Sequence, residues 1–312
     1  MKRINADEKT IDISKIPDAP RYFFPVKYIF HDKYHTCSAY EKPDFETGFH
    51  MQEFYEICII SKGSGYHIIE DSVIKASIGD VFIVPPGRKH AFIGGKGFNV
   101  YYIHLSPVFL EQHSPRLRAL PTFSALFEVE PLMRVNGTKY RHLYLEEKVL
   151  ADVLDILENL SKWRYGDFSD FMIHESYVLV VLTIFCQEYA KLQTTVGKNA
   201  HEDRLFMESI SAIIERFNED LTIEKLAKIA KMSRTTYLKR FVETVGMPPR
   251  QFIAIQRIKM AKSLLRNTDK PLVKIAEETG FYDTSHFSKC FIASEGMSPT
   301  EFRRSQNEQD KG

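Results

Sequence analysis

The sequence predicts a multidomain chain of α and β structure: an N-terminal β-barrel with helices following it, then an all-α domain built from two related helix pairs. Three observations carry this reading. Between residues 23 and 105, short β-branched and aromatic runs alternate with Gly and Pro. Between 140 and 192 the apolar residues change to three- and four-residue spacing, and the C-terminal third resembles itself at an offset of 50 residues.

A length of 312 residues suits about two domains, each able to bury its own core. Apolar residues at 44% and charged residues at 27% are globular usage, which excludes disordered and fibrous classes. Residues 1–10 are polar and lack the apolar core of a signal peptide. The longest strongly apolar run, 177–186, is shorter than the roughly 20 residues a bilayer span requires. A cytoplasmic protein with no membrane partner is therefore expected. Cys37, Cys58, Cys186 and Cys290 show neither C-x-x-C spacing nor the density of a disulfide framework, so they read as reduced, mostly buried thiols.

The first domain, 1–139, reads as an antiparallel sandwich or barrel. Runs at 55–60, 66–69 and 81–84 are punctuated by Gly63, Gly65, Gly79, Pro85, Pro86, Gly87 and Gly94. Its N-terminal arm, with Phe23, Phe24, His31 and His35, either folds over the barrel mouth or forms edge strands with surface histidines. Helices are expected over 140–192, where Leu143, Leu145, Val149, Leu150, Val153, Leu154, Leu157 and Leu160 precede a second stretch from 171. Their apolar faces are broader than packing on a barrel requires. The segment 193–203 (QTTVGKNAHED) is polar, holds a Gly and lacks periodicity, so it reads as a linker to the last domain, 204–312.

In that last domain Lys239, Phe241, Gly246, Met247, Pro249 and Phe252 match Lys289, Phe291, Gly296, Met297, Pro299 and Phe302 in one register. Such a repeat implies two copies of one supersecondary unit. In the first copy Thr222 caps a helix carrying Ile223, Leu226, Ala227 and Ala230, and Ser233 caps a second with Tyr237, Leu238 and Phe241. In the second, Ile275 and Ala276 precede a turn at Gly280, and Asp283 caps a helix carrying Phe287 and Phe291. Two short helices around a tight turn, with a small residue where they approach, make a helix-turn-helix. The bridge, 250–266, is a helix of about 25 Å with an apolar stripe of Phe252, Ile255, Ile258, Ala261 and Leu265. From 221 to 306 there are 16 Lys and Arg against 8 Asp and Glu, a local charge of +8 that suits a phosphate-contacting surface.

The run Ile275-Ala276-x3-Gly280-Phe281-x-Asp283-x-Ser285-x-Phe287-Ser288-x2-Phe291-x4-Gly296-x-Ser298-Pro299-x2-Phe302-Arg303 resembles the signature of the AraC/XylS family of transcription regulators. His286 stands where that family usually has Tyr. The resemblance implies two recognition helices in successive major grooves of double-stranded DNA. Ser233, Arg234, Thr235, Thr236, Lys239 and Arg240 are then the DNA-binding candidates of the first helix. Asp283, Thr284, Ser285, His286 and Lys289 are those of the second; Arg can grip guanine in a fork, and Ser or Thr can serve a phosphate or a base edge.

The stretch from Gly79 to His90 resembles the second box of the cupin fold, Gly-x5-Pro-x-Gly-x2-His. The first box is partly met by Gly48, His50, Glu56 and Gly63, with Gln52 in place of a second His. Regulators of this family generally hold a small organic effector in the barrel without metal. The resemblance therefore implies a sugar-like or metabolite effector and no metal or other cofactor. His50, Glu53, Tyr55, Glu56, Tyr66, His67 and His90 are the candidate effector-binding residues, although strand alternation lets only some of them face inward.

The family further implies a homodimer through 140–192, contact with RNA polymerase, and activation more often than repression. No catalytic residue is assigned and no enzyme is expected. The alternatives are a metal-dependent cupin enzyme with a DNA-binding tail and a regulator without an effector.

Overall fold

The computed structural model describes residues 3–6, 9–30, 36–70, 72–120, 122–131, 142–161, 168–194 and 198–309. The chain forms two compact units, Met1–Gly197 and Lys198–Gly312. His31, His35 and Tyr140 lie outside the described residues.

In the first unit β1 (Arg3–Ala6) pairs with β2 (Lys9–Asp12). Two five-stranded sheets follow. One has the order β3 (Asp18–Phe24), β5 (Thr47–Gln52), β10 (His90–Ile93), β7 (Ser64–Ile69), β8 (Ser72–Ser77). The other has the order β12 (Leu143–Tyr144), β9 (Asp80–Val84), β6 (Tyr55–Lys62), β11 (Asn99–Leu105), β4 (Cys37–Lys42). The fold class is the expected one, a two-sheet cupin-like unit followed by a helical one.

Side chains alternate across each strand, so a single register fixes which residues face the interior. In β6 and β11 the inward row pairs Glu56 with His104, Cys58 with Tyr102 and Ile60 with Val100. The polar pair lies at one end of this row and the apolar pair at the other. Phe45, Ala76, Phe82, Phe92 and Phe98 join Cys58, Ile60, Val100 and Tyr102 in the apolar cluster. Lys42 Nζ lies 5.7, 5.6 and 5.7 Å from the ring centroids of Tyr40, Phe45 and Tyr102. The opposite face of the first sheet buries Phe49, Ile68 and Ala91 beneath Ile13 and Ile16 of the N-terminal segment.

Helices α1 (Pro107–Leu117), α2 (Glu147–Ser161) and α3 (Phe168–Thr194) complete this unit. Tyr101 on the outer face of β11 donates its hydroxyl to the Leu157 carbonyl of α2 at 2.9 Å, which joins helix to sheet. Leu143 and Leu145, expected in a helix, are not helical. Leu143 pairs with Val81 in β12, and the Leu145 amide donates to the Gly79 carbonyl at 2.8 Å, so backbone pairing with β9 overrides the spacing.

Residues 168–192 of α3 are long and apolar enough to cross a bilayer by length and composition, with a mean hydropathy of 1.4. The helix runs past the apolar stretch at both ends, which the ten-residue run had hidden. Its buried residues, His174, Val178, Val181, Leu182, Phe185, Cys186 and Tyr189, recur at helical spacing and form one packed face. Thr122 donates to the Cys186 carbonyl at 2.6 Å, and Glu175 accepts from the Thr36 hydroxyl and lies 3.4 Å from His113 Nε2, so polar contacts also fix the helix to its own unit.

The segment expected as a linker is largely helical: α3 extends to Thr194 and α4 (Lys198–Arg216) begins four residues later. Lack of apolar periodicity had removed the signal for burial, but Lys, Ala and Glu are good helix formers in water.

The second unit continues with α5 (Ile223–Ile229), α6 (Arg234–Val245), α7 (Pro249–Asn267), α8 (Leu272–Glu278), α9 (Thr284–Glu295) and α10 (Pro299–Gln309). The caps follow the repeat. Ser233 Oγ accepts the Thr236 amide at 3.2 Å, and Asp283 Oδ1 accepts the His286 amide at 2.7 Å. Gly246 and Gly296 end α6 and α9 in the left-handed conformation. Ala227 and Ala276 are buried where the helices of each pair meet. On α7 the stripe differs from expectation by one residue: Ile255 is exposed and Ile253 is buried instead.

Candidate functional site

Buried polar side chains gather at one end of the barrel. His50 and His90 are cross-strand partners in β5 and β10, and their Nε2 atoms stand 2.8 Å apart. Glu56 enters from the other sheet, with Oε1 3.2 Å from His90 Nε2 and Oε2 3.0 Å from His104 Nε2. Behind His104, Ser38 Oγ lies 3.4 Å from Nδ1; behind His50, the Gly48 carbonyl lies 3.1 Å from Nδ1. The Cys58 thiol donates weakly to Glu56 Oε1 at 3.5 Å.

Burial, reinforced by the adjacent His90, lowers the His50 pKa to about 4, so its ring is neutral. Burial pushes Glu56 the other way, but hydrogen bonds from His104 and His90 prevail and hold the carboxyl well below its usual range. Tyr102 is raised well above the usual phenol range by burial, with Cys58 and Glu56 adding to it. The interior thus holds one carboxylate under imidazole donors. The ligand atoms of His50, Glu56 and His90 all lie within 4.8 Å of one another, a set able to hold a metal ion.

Of the seven effector-binding candidates, the structure brings His50, Glu56 and His90 together, turns His67 inward with its ring centroid 5.6 Å from that of His90, and leaves three elsewhere. Glu53 is exposed in the β5–β6 turn, where a carboxylate oxygen accepts the Val26 amide at 3.0 Å. Tyr55 occupies the outward row of β6, close enough to Glu128 and Arg118 to feel both charges. Tyr66 faces the outer cluster around Phe49 and Ile68. Its neighbour His67 takes the inward position, stacked on Phe92 with ring centroids 4.3 Å apart. His104 escaped the sequence reading because it is 48 residues from Glu56 and belongs to no box; its signal was its place in the inward row with Val100 and Tyr102.

Gln52 shares an inward face with His50 and is 1% exposed, yet among the described residues neither amide atom has a hydrogen-bond partner. An unsatisfied buried amide costs about 1–3 kcal/mol. Gln52→Leu is therefore expected to raise the melting temperature of the ion- and ligand-free chain. A lowered melting temperature in a thermal denaturation series would show that the amide is satisfied by water.

In the helical unit, Ser233, Arg234, Thr235, Thr236 and Lys239 are exposed on α6 and its cap, while Tyr237 and Phe241 are buried beneath them. Asp283, Ser285, His286 and Lys289 are likewise exposed around α9, with Thr284 half-buried and Phe287 and Phe291 underneath. Arg240 is different. Its guanidinium sits 4.4 Å over the Phe206 ring of α4, so it packs within the unit rather than standing in the exposed row. Ser233 and Asp283 are engaged as helix caps. Arg257 of α7 donates to the Phe217 and Glu219 carbonyls at 2.7 and 3.1 Å, joining the bridging helix to the connection between α4 and α5.

A family model described as an AraC-like ligand binding domain matches residues 33–134, and one described as a helix-turn-helix domain matches residues 226–305. The HTH-type transcriptional activator RhaS of Escherichia fergusonii is 22% identical over 258 residues, covering 83% of this chain and 88% of that protein. The HTH-type transcriptional activator RhaR of Mannheimia succiniciproducens is 22% identical over 256 residues, covering 81% and 86%. The solved DNA-binding domain of AdpA in complex with a target DNA is 28% identical over 34% of this chain and 95% of that one, with a TM-score of 0.33.

A ligand-binding barrel joined to a duplicated helix-turn-helix defines an effector-responsive, DNA-binding transcription regulator. Both of the domains that characterise AraC-type regulators are thus matched in this chain, in order.

Proposed function

We propose that this protein is a cytoplasmic transcription activator whose response to a small polar metabolite is set at the polar end of the barrel. The observation that carries the reading is the pair of capped helices, α6 and α9, each exposing a polar row above a buried aromatic pair. Arg234, Thr235, Thr236 and Lys239 on α6, with Ser285, His286 and Lys289 on α9, are the DNA-facing side chains in this reading. Bridging helix α7, at 19 residues, is about 28 Å long, which suits two helices entering grooves one duplex turn apart.

The division of labour we propose gives 1–139 the effector, 140–192 the dimer contact and 204–312 the DNA. Exposed Phe168, Met172 and Val180 on α3 supply apolar surface for a second copy. Relatives carry the name of activators, which supports activation and an encounter with RNA polymerase. No catalytic role is assigned; the cupin-enzyme alternative requires turnover, and a regulator without an effector would give no thermal shift with any metabolite.

The test is the Arg234→Ala/Lys239→Ala double variant on a duplex selected from a random pool by the parent chain. Affinity is expected to fall about 10–100-fold if Arg234 reads a base, and the slope of log K against log salt to shrink by about 0.9 for each phosphate contact removed. Unchanged affinity and slope at several salt concentrations would reject this face.

A further inference from the structure

Each recognition helix exposes an apolar side chain on its polar row. Val242 on α6 and Ile292 on α9 stand 50 residues apart and are each the ninth residue of their helix, so they hold the same position in the two copies. Val242 is 42% exposed and Ile292 47%, while Tyr237 and Phe241, and Phe287 and Phe291, supply the buried stripes. β-Branched residues are also poorer helix formers than the Lys, Arg or Glu that an exposed position admits.

Helix geometry puts both on the DNA-facing row. At about 100° per residue, Val242 lies about 20° from Thr235 and about 60° from Lys239 around α6, and Ile292 lies equally far from Ser285 and Lys289 around α9. All four of those polar residues are exposed. Along the axis Val242 and Ile292 stand about 10.5 Å beyond Thr235 and Ser285, some two turns into the helix. A helix that met DNA only at its start would leave them in water; one lying along the major groove brings them to the base edges. Among hydrogen-bonding groups, those edges present one methyl group, at C5 of thymine.

We infer that Val242 and Ile292 each pack against the 5-methyl group of a thymine, so that the two copies select A·T pairs about one duplex turn apart. This rests on the DNA-facing reading of α6 and α9 and names the base that their apolar residues choose. Charge favours DNA as the occupant, because Lys239 and Lys289 precede the two residues by three positions within a segment of net positive charge. Recurrence favours it too, since a duplex presents its groove again one turn on. Val242 and Ile292 also lie four residues before Gly246 and Gly296, whose amides donate to their carbonyls at 2.9 Å. An apolar residue at this point of a left-handed cap frequently packs on the residue after the glycine, here Met247 and Met297. Loss of that contact lowers stability, whereas loss of the thymine contact lowers affinity only for the methylated base.

The experiment uses the full chain and the duplex that it selects from a random pool. Each thymine in turn is replaced by deoxyuridine, which lacks only the 5-methyl group, and affinity is read by fluorescence anisotropy. Replacement at two positions about one turn apart is expected to weaken the parent about 3–10-fold, the scale of one buried methyl group. Val242→Ala should lose the response at one position and Ile292→Ala at the other, each keeping the response at the position it does not touch. Alanine favours helix, so both variants are expected to fold, which circular dichroism checks. The proposal is overturned if no uracil position weakens the parent, or if the uracil effects survive unchanged in both variants. Variants that bind every duplex as the parent does overturn it too, and assign the two residues to the cap contact or to another protein. Should either variant not fold, uracil effects at positions not one turn apart overturn it instead. The Arg234→Ala/Lys239→Ala variant on the same duplex separates the two readings: a reduced salt slope there without any uracil effect rejects the thymine contact alone, and an unchanged slope rejects the DNA-facing row itself.

Discussion

Gly280→Ala is expected to melt the second helix-turn-helix at temperatures where the parent chain is intact. Gly280 holds φ +81°, and a Cβ there would stand 2.6, 2.7 and 2.8 Å from the carbonyl oxygen, Cα and carbonyl carbon of Asn218. All three are backbone atoms of the connection between α4 and α5, so no side chain can rotate away to relieve the contact. The left-handed conformation costs an L-residue about 1–2 kcal/mol and the overpacking about 1–3 kcal/mol more. Gly296→Ala isolates the first cost. It has φ +71° but nothing within 4 Å of the added carbon. Urea or thermal unfolding of the two variants should therefore show a loss for Gly280→Ala about 1–3 kcal/mol larger than that for Gly296→Ala. Equal losses would mean that the Asn218 segment yields, and that the close approach of the second helix pair to the first is not a constraint on the fold.

The helical unit was more legible in sequence than the barrel, and the reason is its duplication. A duplication supplies its own control: Phe241 with Phe291, Gly246 with Gly296 and Pro249 with Pro299 fix one register, and local caps at Ser233 and Asp283 fix the helix starts. The barrel offers no such check. Whether Tyr66 or His67 faces inward depends on strand parity, and pairing of β5 with β10 shifts register between His90 and Phe92, so counting by twos from the recognisable boxes fails. Glu53 looked like a strand residue but lies in a turn, and Tyr55 is one position out of phase with Glu56. His104 joins the cluster only through the pairing of β11 with β6, a contact that no local spacing encodes. Arg240 differs from its neighbours for another reason. It follows Tyr237 by three residues and so flanks the buried stripe, where its long side chain covers Phe206, a packing role that its charge alone does not reveal.

Presenting a DNA-facing row and contacting DNA with it are separable, and Phe241→Ala separates them. The Phe241 ring is fully buried, with centroids 6.4, 5.7 and 5.8 Å from those of Phe206, Tyr237 and Phe252. It thereby joins α4, α6 and α7 beneath the exposed row of the first recognition helix. Truncation to Ala removes about 3–5 kcal/mol, against a total of about 5–15 kcal/mol for a typical domain. The variant is expected to lose helicity and DNA affinity together on warming, while the folded fraction at low temperature keeps the parent's salt slope because Arg234 and Lys239 are untouched. The Arg234→Ala/Lys239→Ala variant should show the reverse, a shallower salt slope with an unchanged melting temperature. Circular dichroism melts paired with DNA titrations at two salt concentrations distinguish the two patterns. A Phe241→Ala chain that melts within about 3 °C of the parent would show that the aromatic layer does not hold the recognition helix in place.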